Sequence, residues 1–285
     1  MSEHLDHLVP INNVCNQKCN FCSAEYRMQW NTPIPLAEIF ADIRAKWNYI
    51  QISWWEPLLS PDVFKILYFI RKYKENCFIE FQSNGLLLLK NNNLTKLQKF
   101  HINLYNINYP AHIEHINDII VQSKGTLKIR EAAMQEVLAR GLKLRVNIIV
   151  NTYNYEILPE MIQYIWSRFP NSRIQLSYTK AMWAADKNDE VVARYDKASP
   201  YIIEALRLAK DFWIHIDVDH IPLCFLWSYF TNHVDYHKIK SWEKWIFLEE
   251  KWYIPKCRWC KLKSYCSWYR KDYLEVYPDE IHTYV

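Results

Sequence analysis

Three cysteines occur within a short stretch near the start of the chain, and their spacing points to a metal-binding loop. Cys15, Cys19 and Cys22 follow the pattern C-x3-C-x2-C, with Phe21 directly before the third. Three thiolates at this spacing can wrap a loop around a cube-shaped four-iron cluster and leave one iron without a protein ligand. A metal centre needs such an open position to bind and activate a small molecule. Structural zinc fits less well, because zinc prefers four ligands and no fourth ligand stands nearby.

The other five cysteines divide into one isolated residue and a second group near the end of the chain. Cys77 lies in an apolar strand-like run, where a small buried core residue is the better interpretation. Cys224 precedes Cys257, Cys260 and Cys266, which read C-x2-C-x5-C. Four thiolates can fully ligate either a four-iron cluster or a zinc ion, and the spacing alone does not separate the two.

Short apolar runs alternate with longer amphipathic segments up to about residue 181. The predicted strands are residues 7–12, 49–53, 77–82, 101–106, 142–150 and 173–178. The predicted helices between them are residues 36–47, 61–74, 86–98, 126–140 and 155–168. This alternation is typical of a parallel sheet with helical crossovers, and an open sheet or a barrel fits equally well. A polar linker, a predicted helix over 200–212 and an irregular cysteine-bearing segment follow, which is typical of a small metal-stabilised domain.

Composition and charge exclude several classes of protein. Half of the residues are hydrophobic and 23% are charged, which is a globular rather than a disordered composition. No apolar run approaches the roughly 18 residues that span a bilayer, and the N-terminus lacks a secretory signal, so we expect a cytoplasmic protein without a membrane partner. The net charge of +4 is mild. Basic residues over 251–271 predict a solvated face or compensation of thiolate charge, with an acidic peptide or nucleic acid as the alternative partner. Nothing amounts to a nucleic-acid-binding signature.

The N-terminal motif resembles that of the radical S-adenosylmethionine (SAM) superfamily, whose members carry C-x3-C-x-aromatic-C after their first strand. The resemblance rests on Cys15, Cys19, Phe21 and Cys22. It implies a partial (β/α)6 TIM-type barrel over residues 1–190 and a small cysteine-rich domain over 191–285. It also implies a catalytic [4Fe–4S] cluster on the three cysteines, whose open iron chelates SAM. Reductive cleavage of SAM then gives a 5′-deoxyadenosyl radical that abstracts hydrogen from a substrate, with a flavodoxin or ferredoxin as the external electron donor.

Further positions resemble the SAM-binding segments of the family. Glu56 and Pro57 match the end of its Gly-Gly-Glu-Pro motif after the second strand, which contacts the amino group of SAM. Ser83 and Asn84 precede Gly85 and match its Thr-Asn-Gly turn near the ribose and carboxylate, although Asn-Gly is also a generic turn. Residue Asn147 in the fifth predicted strand is expected to face the same pocket, with a plain strand-end asparagine as the alternative.

Tryptophan replaces both glycines of that motif, at positions 54 and 55. Glycine allows close approach to a ligand and a positive φ, and tryptophan does neither cheaply. The chain has 3 Gly and 13 Trp, whereas average glycine usage of about 7% predicts roughly 20 glycines. We hypothesise that UGA codons, which some bacterial lineages read as glycine, appear here as tryptophan; a truly tryptophan-rich family member is the alternative. The positions that suggest this are Trp54, Trp55, Trp183, Trp227 and Trp268.

The C-terminal cysteines resemble the auxiliary-cluster modules called twitch and SPASM domains. The resemblance implies one auxiliary [4Fe–4S] cluster, as in twitch domains, because four ligands are available: Cys224, Cys257, Cys260 and Cys266. The implied role of this cluster is electron transfer. The implied reaction is modification of a peptide or protein, or oxidation of a small molecule. Because only 14 residues precede Cys15, we expect recognition of a leader peptide to come from elsewhere. A non-catalytic electron-transfer protein and a zinc-stabilised interaction module are the alternatives.

Overall fold

A computed structural model of the chain describes residues 7–24, 33–46, 48–53, 55–186, 188–241 and 250–280. The prediction for Trp54 lies outside the described residues. Within them, none of the helices is both long enough and apolar enough to traverse a lipid bilayer.

Seven parallel strands form the main sheet, and they are ordered along the sheet as they are along the chain. They are β1 (Leu8–Pro10), β2 (Tyr49–Ser53), β3 (Phe78–Ser83), β4 (Leu104–Asn108), β5 (Leu144–Val150), β6 (Arg173–Tyr178) and β7 (Ile216–Asp219). Sequential order with parallel pairing requires a crossover between each pair of neighbours. The fold is α/β and matches a partial TIM barrel, as predicted. The sheet is one strand longer than expected and reaches past residue 190.

Helices supply the crossovers. They are α1 (Leu36–Ala45), α2 (Val63–Tyr73), α3 (Asn93–Gln98), α4 (Glu114–Val121), α5 (Leu127–Ala139), α6 (Leu158–Arg168) and α7 (Tyr195–Asp211). Two predictions need correction in length. The helix expected over 86–98 is only α3, preceded by a turn of 3-10 helix at Lys90–Asn92. The helix expected over 200–212 begins five residues earlier, because Pro200 is accommodated within α7.

Strands β2 to β7 largely alternate between apolar and polar residues, which separates the two faces of the sheet. Apolar positions of β2 to β6 such as Ile52, Phe81 and Leu176 are buried with helix residues in one core. Alternate positions carry polar side chains, which therefore point to the opposite, concave side. These are Gln51, Ser53, Glu80, Gln82, Asn106, Asn108, Arg145, Asn147, Gln175, Ser177, Asp217 and Asp219. Small closed barrels fill this space with branched apolar residues, so the polar interior indicates a binding space.

The residues after β7 form a short, mostly irregular segment with helices α8 (Val234–Lys240) and α9 (Lys271–Val276). Strands β8 (Lys251–Trp252) and β9 (Tyr269–Arg270) pair as a two-stranded antiparallel sheet. The segment packs on the start of α7, where the rings of Tyr195 and Tyr273 stack with centroids 3.6 Å apart. The Ala181 amide, in the loop after β6, donates to Asp272 at 2.7 Å. The C-terminal segment therefore lies against the carboxyl ends of the last barrel strands.

Candidate active site at the carboxyl ends of the strands

The cysteine loop follows β1 and is held by a turn of its own and by the backbone of two other elements. The amide of Asn20 donates to the carbonyl of Ile120 at 3.0 Å, at the C-terminal end of α4, whose last carbonyls have no partner within the helix. The amide of Cys22 closes a turn onto the carbonyl of Cys19 at 3.1 Å. The carbonyl of Cys22 accepts from Ala184, in the loop after β6. These contacts fix the loop at the mouth of the barrel.

The three thiols lie close together in a shielded position. Burial, with smaller contributions from nearby Glu56 and Cys22, raises the pKa of Cys15 to about 11. Burial is also the main cause of the raised pKa of Cys19, to which its neighbours Cys22 and Cys15 add. Three free thiols whose charges influence one another in this way are near enough to bind one metal centre together. A metal centre bound here would have to displace their protons.

The cysteine loop supplies three free thiols, which is the donor set of a four-iron cluster with one open iron. Within the ranges that the structure describes, no three His, Cys, Asp or Glu side chains converge tightly enough to hold one metal ion. A four-iron cluster places each thiolate on a different iron, so its ligands stand farther apart than those of one zinc ion. The thiol chemistry fits the cluster expected on Cys15, Cys19 and Cys22, and its binding there stays a prediction.

Glu56 is fully buried at the end of β2 and ties together the first three strand ends. Its carboxylate accepts from the backbone amides of Leu58 at 3.1 Å and Asn84 at 2.9 Å. The hydroxyl of Ser83 also donates to it at 2.9 Å. Burial raises the pKa of Glu56 to about 7, and these donors oppose the rise. Its backbone amide donates to Val14, one residue before the cysteine motif. Glu56 therefore positions the cysteine loop against the turn after β3, and its contact with SAM stays a prediction.

We expect Glu56→Gln to lower the free energy of unfolding by about 1–3 kcal/mol, because the amide nitrogen cannot accept the bonds that the carboxylate accepts. Urea unfolding measures the change. Glu38→Gln on the exposed surface of α1 is the matched control and should change the midpoint little. Equal midpoints for the two variants would show that the Glu56 carboxylate does not hold these strand ends.

The turn after β3 reaches the cysteine loop directly. The side-chain amide of Asn84 donates to Asn16 at 2.6 Å and lies 3.8 Å from the sulfur of Cys15. Gly85 has a φ of +84°, and a Cβ there would stand 3.2 Å from Ile107 and 3.3 Å from Arg130. Only glycine fits both the conformation and the space. Asn84 thus lies beside Cys15, and Ser83 connects the same turn to Glu56.

Arg130 on α5 is a site residue that the sequence analysis missed. Its guanidinium is fully buried and donates to the carbonyl of Asn84 at 3.0 Å, to Asn117 at 2.6 Å and to Gln17 at 3.2 Å. One side chain therefore joins the turn after β3, α4 and the cysteine loop. Burial lowers its pKa to about 10, so it remains charged at neutral pH. A lone arginine in a helix gives no periodic signal from which this role could be predicted.

Asn147 lies on β5 with its side chain on the polar concave face. It is in register with Asn108 on β4 and Gln175 on β6. Ser177 donates to its side-chain oxygen at 3.5 Å, and Gln175 donates to Asp219 at 2.7 Å. Asp219 is buried, and burial raises its pKa. These side chains form a polar layer across β4 to β7, and the contact of Asn147 with SAM stays a prediction.

The four C-terminal cysteines surround a second pocket. Cys224 comes from the 3-10 segment after β7, Cys257 and Cys260 from the turn at Pro255–Trp259, and Cys266 from the loop before β9. All four line one pocket together with Pro222, Leu262, Lys263, Trp268 and Tyr269. Burial raises the pKa of Cys224, and the other three thiols raise it further. Residues that are distant in sequence thus meet as a four-thiol group. Cys77, by contrast, is buried in the barrel core, as expected.

A sequence profile decides the family of the chain. Residues 9–165, more than half of the sequence, match the profile of the Radical SAM superfamily. The chain belongs to the radical SAM superfamily. Its members are enzymes, and membership implies that a [4Fe–4S] cluster and SAM are its cofactors. The cysteine loop after β1 and the turn after β3 lie inside the matched region.

Individual proteins that are similar to this chain support the family assignment, although their sequence identity to it is low. GTP 3′,8-cyclase of Staphylococcus saprophyticus subsp. saprophyticus is 22% identical over 201 residues, which cover 64% of this radical SAM chain and 56% of the cyclase. SuiB of Streptococcus suis, solved with bound S-adenosylmethionine, superposes with a TM-score of 0.61 at 13% identity, covering 75% of this chain and 49% of SuiB. The hydrogenase maturase HydG of Carboxydothermus hydrogenoformans gives 0.60 at 14% identity, covering 79% of this chain and 56% of HydG. The chain spans about half the length of these relatives, and the two structures establish its fold.

Proposed function

We propose that this radical SAM enzyme carries a second [4Fe–4S] cluster, held by Cys224, Cys257, Cys260 and Cys266 in a twitch-like domain that follows the barrel. The observation that carries the proposal is the meeting of these four thiols around one pocket. Four thiolates complete the coordination of a four-iron cluster and leave no iron open. Electron transfer is therefore the role we assign to it, for example acceptance of an electron from a substrate radical.

The chain's own residues would prepare the first site. Cys15, Cys19 and Cys22 would hold the catalytic cluster, and Phe21 packs partly buried against the core beside them. When bound, the cluster and SAM supply a 5′-deoxyadenosyl radical that takes a hydrogen atom from the substrate. SAM would be oriented by Glu56, Ser83 and Asn84 from the ends of β2 and β3, and by Asn147 from the middle of β5. The contribution of the protein is orientation and the exclusion of water, since the cofactors carry the chemistry.

The polar concave face is where we place the substrate. This face presents amides, a hydroxyl and a carboxylate toward the interior, from Asn108, Asn147, Gln175, Ser177 and Asp219. A substrate with several hydrogen-bonding groups matches this lining better than an apolar one. The structure of SuiB with its precursor peptide SuiA supports a peptide substrate, which we favour slightly over a small molecule. A flavodoxin or ferredoxin would supply the reducing electron.

Metal analysis of matched variants tests the second cluster. Anaerobically reconstituted protein should hold about eight irons per chain, since each cluster has four. The double variant Cys257→Ala, Cys260→Ala should hold about four and retain SAM cleavage. Cys77→Ala is the control and should keep the full content, because its thiol lies in the barrel core. A wild type with about four irons and one zinc would instead support a structural zinc ion in the C-terminal segment.

A further inference from the structure

Tryptophan is concentrated at backbone positions that favour glycine. Eleven non-glycine residues of the described chain have a positive φ, and five of them are tryptophan. The other six are Asn91, Asn92, His101, Gln122, Asn171 and His220. Asparagine and histidine are enriched in this conformation, whereas a bulky residue there is an outlier. The five tryptophans are Trp55, Trp183, Trp213, Trp227 and Trp268, with φ between 49° and 67°.

The chain contains an internal comparison for one of these positions. Helix α5 ends with Gly141 at φ +67°, whose amide donates to Leu138 while the next amide, of Leu142, donates to Val137. This pair of bonds is the Schellman motif, which favours glycine at its left-handed position. Helix α7 ends with the same pair, from Trp213 to Lys210 and from Ile214 to Ala209. Trp213 has a φ of 58° and is 95% exposed, so its side chain gains no burial that would offset the strain.

The backbone conformation at position 227 favours glycine even more strongly than that at position 213. Trp227 has φ 49° and ψ −124°. This is the conformation of the first central residue of a type II′ turn, which is dominated by glycine. Trp227 is 59% exposed. As at position 213, packing gives no reason for a tryptophan.

The remaining three positions adjoin the two cysteine sites. Trp55 directly precedes Glu56, Trp183 lies beside the Ala184 amide that holds the cysteine loop, and Trp268 follows Cys266 by two residues. The backbone amide of Trp268 lies 3.3 Å from the sulfur of Cys266. Its indole nitrogen is buried without an acceptor among the described residues. A buried donor without an acceptor is costly, and glycine would remove it.

Trp166 shows what an ordinary tryptophan looks like in this chain. It lies within helix α6, and its ring stacks on Phe212 with centroids 4.6 Å apart. Glycine there would lose the stacking and weaken the helix. Trp166 thus has a helical backbone, whereas the five tryptophans occupy glycine conformations, including Trp268, whose ring meets that of Tyr253.

We infer that the natural polypeptide carries glycine at positions 55, 183, 213, 227 and 268, and that these codons are UGA read as glycine by the source organism. The inference rests on backbone geometry and stands apart from the proposed function. Glycine at position 55 would also allow a ligand to approach the loop before Glu56 closely, which a tryptophan side chain would obstruct.

The coding sequence gives the first test. We expect UGA at the five positions and UGG at Trp166. Peptides of the natural protein that span the five positions should weigh less by the difference between tryptophan and glycine. UGG at the five positions, with tryptophan in those peptides, would overturn the inference.

Thermal unfolding of the reconstituted protein gives an independent test. The single variants Trp213→Gly and Trp227→Gly should each raise the apparent unfolding temperature by about 2–4 °C, the shift expected for relief of about 1 kcal/mol in a chain of this size. The matched variant Trp166→Gly should lower it. Decreases at 213 and 227 like that at 166 would contradict the inference, and the readout does not depend on catalysis.

Discussion

Replacement of Arg130 by methionine is expected to lower the free energy of unfolding by about 3–5 kcal/mol, because three buried acceptors lose their donor at about 1–3 kcal/mol each and such costs are not fully additive. The acceptors are the Asn84 carbonyl and the side chains of Asn117 and Gln17. Methionine fills part of the volume and donates nothing, so the loss isolates the hydrogen bonds. Chemical denaturation of the reconstituted protein measures it.

The matched control for Arg130 is an arginine on the protein surface. Arg207 on α7 pairs with Glu204 and Asp211 while about half exposed. Exposed ion pairs contribute about 0–1 kcal/mol, so Arg207→Met should change stability little. If the two variants unfold at the same denaturant concentration, Arg130 does not join the cysteine loop to α4 and the turn after β3. If Arg130→Met also retains less iron than Arg207→Met, the hydrogen bonds of Arg130 help to position the first cluster.

Substitution of Cys19 by alanine is expected to abolish SAM cleavage and to remove about four irons per chain, since a cluster held by three thiolates cannot tolerate the loss of one. Cys19 is the middle ligand of the loop, and its carbonyl accepts the turn-closing bond from Cys22. The alanine variant keeps that backbone bond, so the loop conformation is retained and the effect reports on the thiolate. Iron analysis and chromatography of 5′-deoxyadenosine measure the two losses.

The Cys19 variant and the C-terminal double variant should lose different clusters. Cys19→Ala should keep the iron bound by the C-terminal cysteines but form no 5′-deoxyadenosine. Cys257→Ala, Cys260→Ala should show the reverse pattern. Retained 5′-deoxyadenosine production by Cys19→Ala would place SAM cleavage elsewhere in the chain.

The sequence predicted features whose signal is local. Cysteine spacing, apolar alternation and the Ser83-Asn84-Gly85 turn are each contained in a few residues, and the structure brings this turn to Cys15. The strand β7 was missed because it is only four residues long, Ile216–Asp219, and half of them are acidic. The helix α4 was missed because eight residues after Tyr-Pro gave too short a periodic pattern.

Features that depend on tertiary contact could not be predicted. Arg130 and Glu56 act by joining elements that are distant in sequence, and nothing in their own neighbourhoods shows which acceptors or donors they meet. The sequence likewise did not identify Trp213 as a glycine position, because that follows only from the Schellman hydrogen bonds at the end of α7. By contrast, the sequence did identify four tryptophans as candidate glycine positions, and each of them has a positive φ in the structure: Trp55, Trp183, Trp227 and Trp268.

The most direct test of the account is the addition of SAM to the first cluster alone. The chain would carry Cys257→Ala and Cys260→Ala, so that one cluster remains, and Trp54→Gly and Trp55→Gly, so that the loop before Glu56 is open. The measurement is the electron paramagnetic resonance spectrum of the reduced, anaerobically reconstituted protein with and without SAM. We predict that SAM changes the spectrum and that 5′-deoxyadenosine forms under reductant. An unchanged spectrum with no 5′-deoxyadenosine would contradict the assignment of an open iron to Cys15, Cys19 and Cys22.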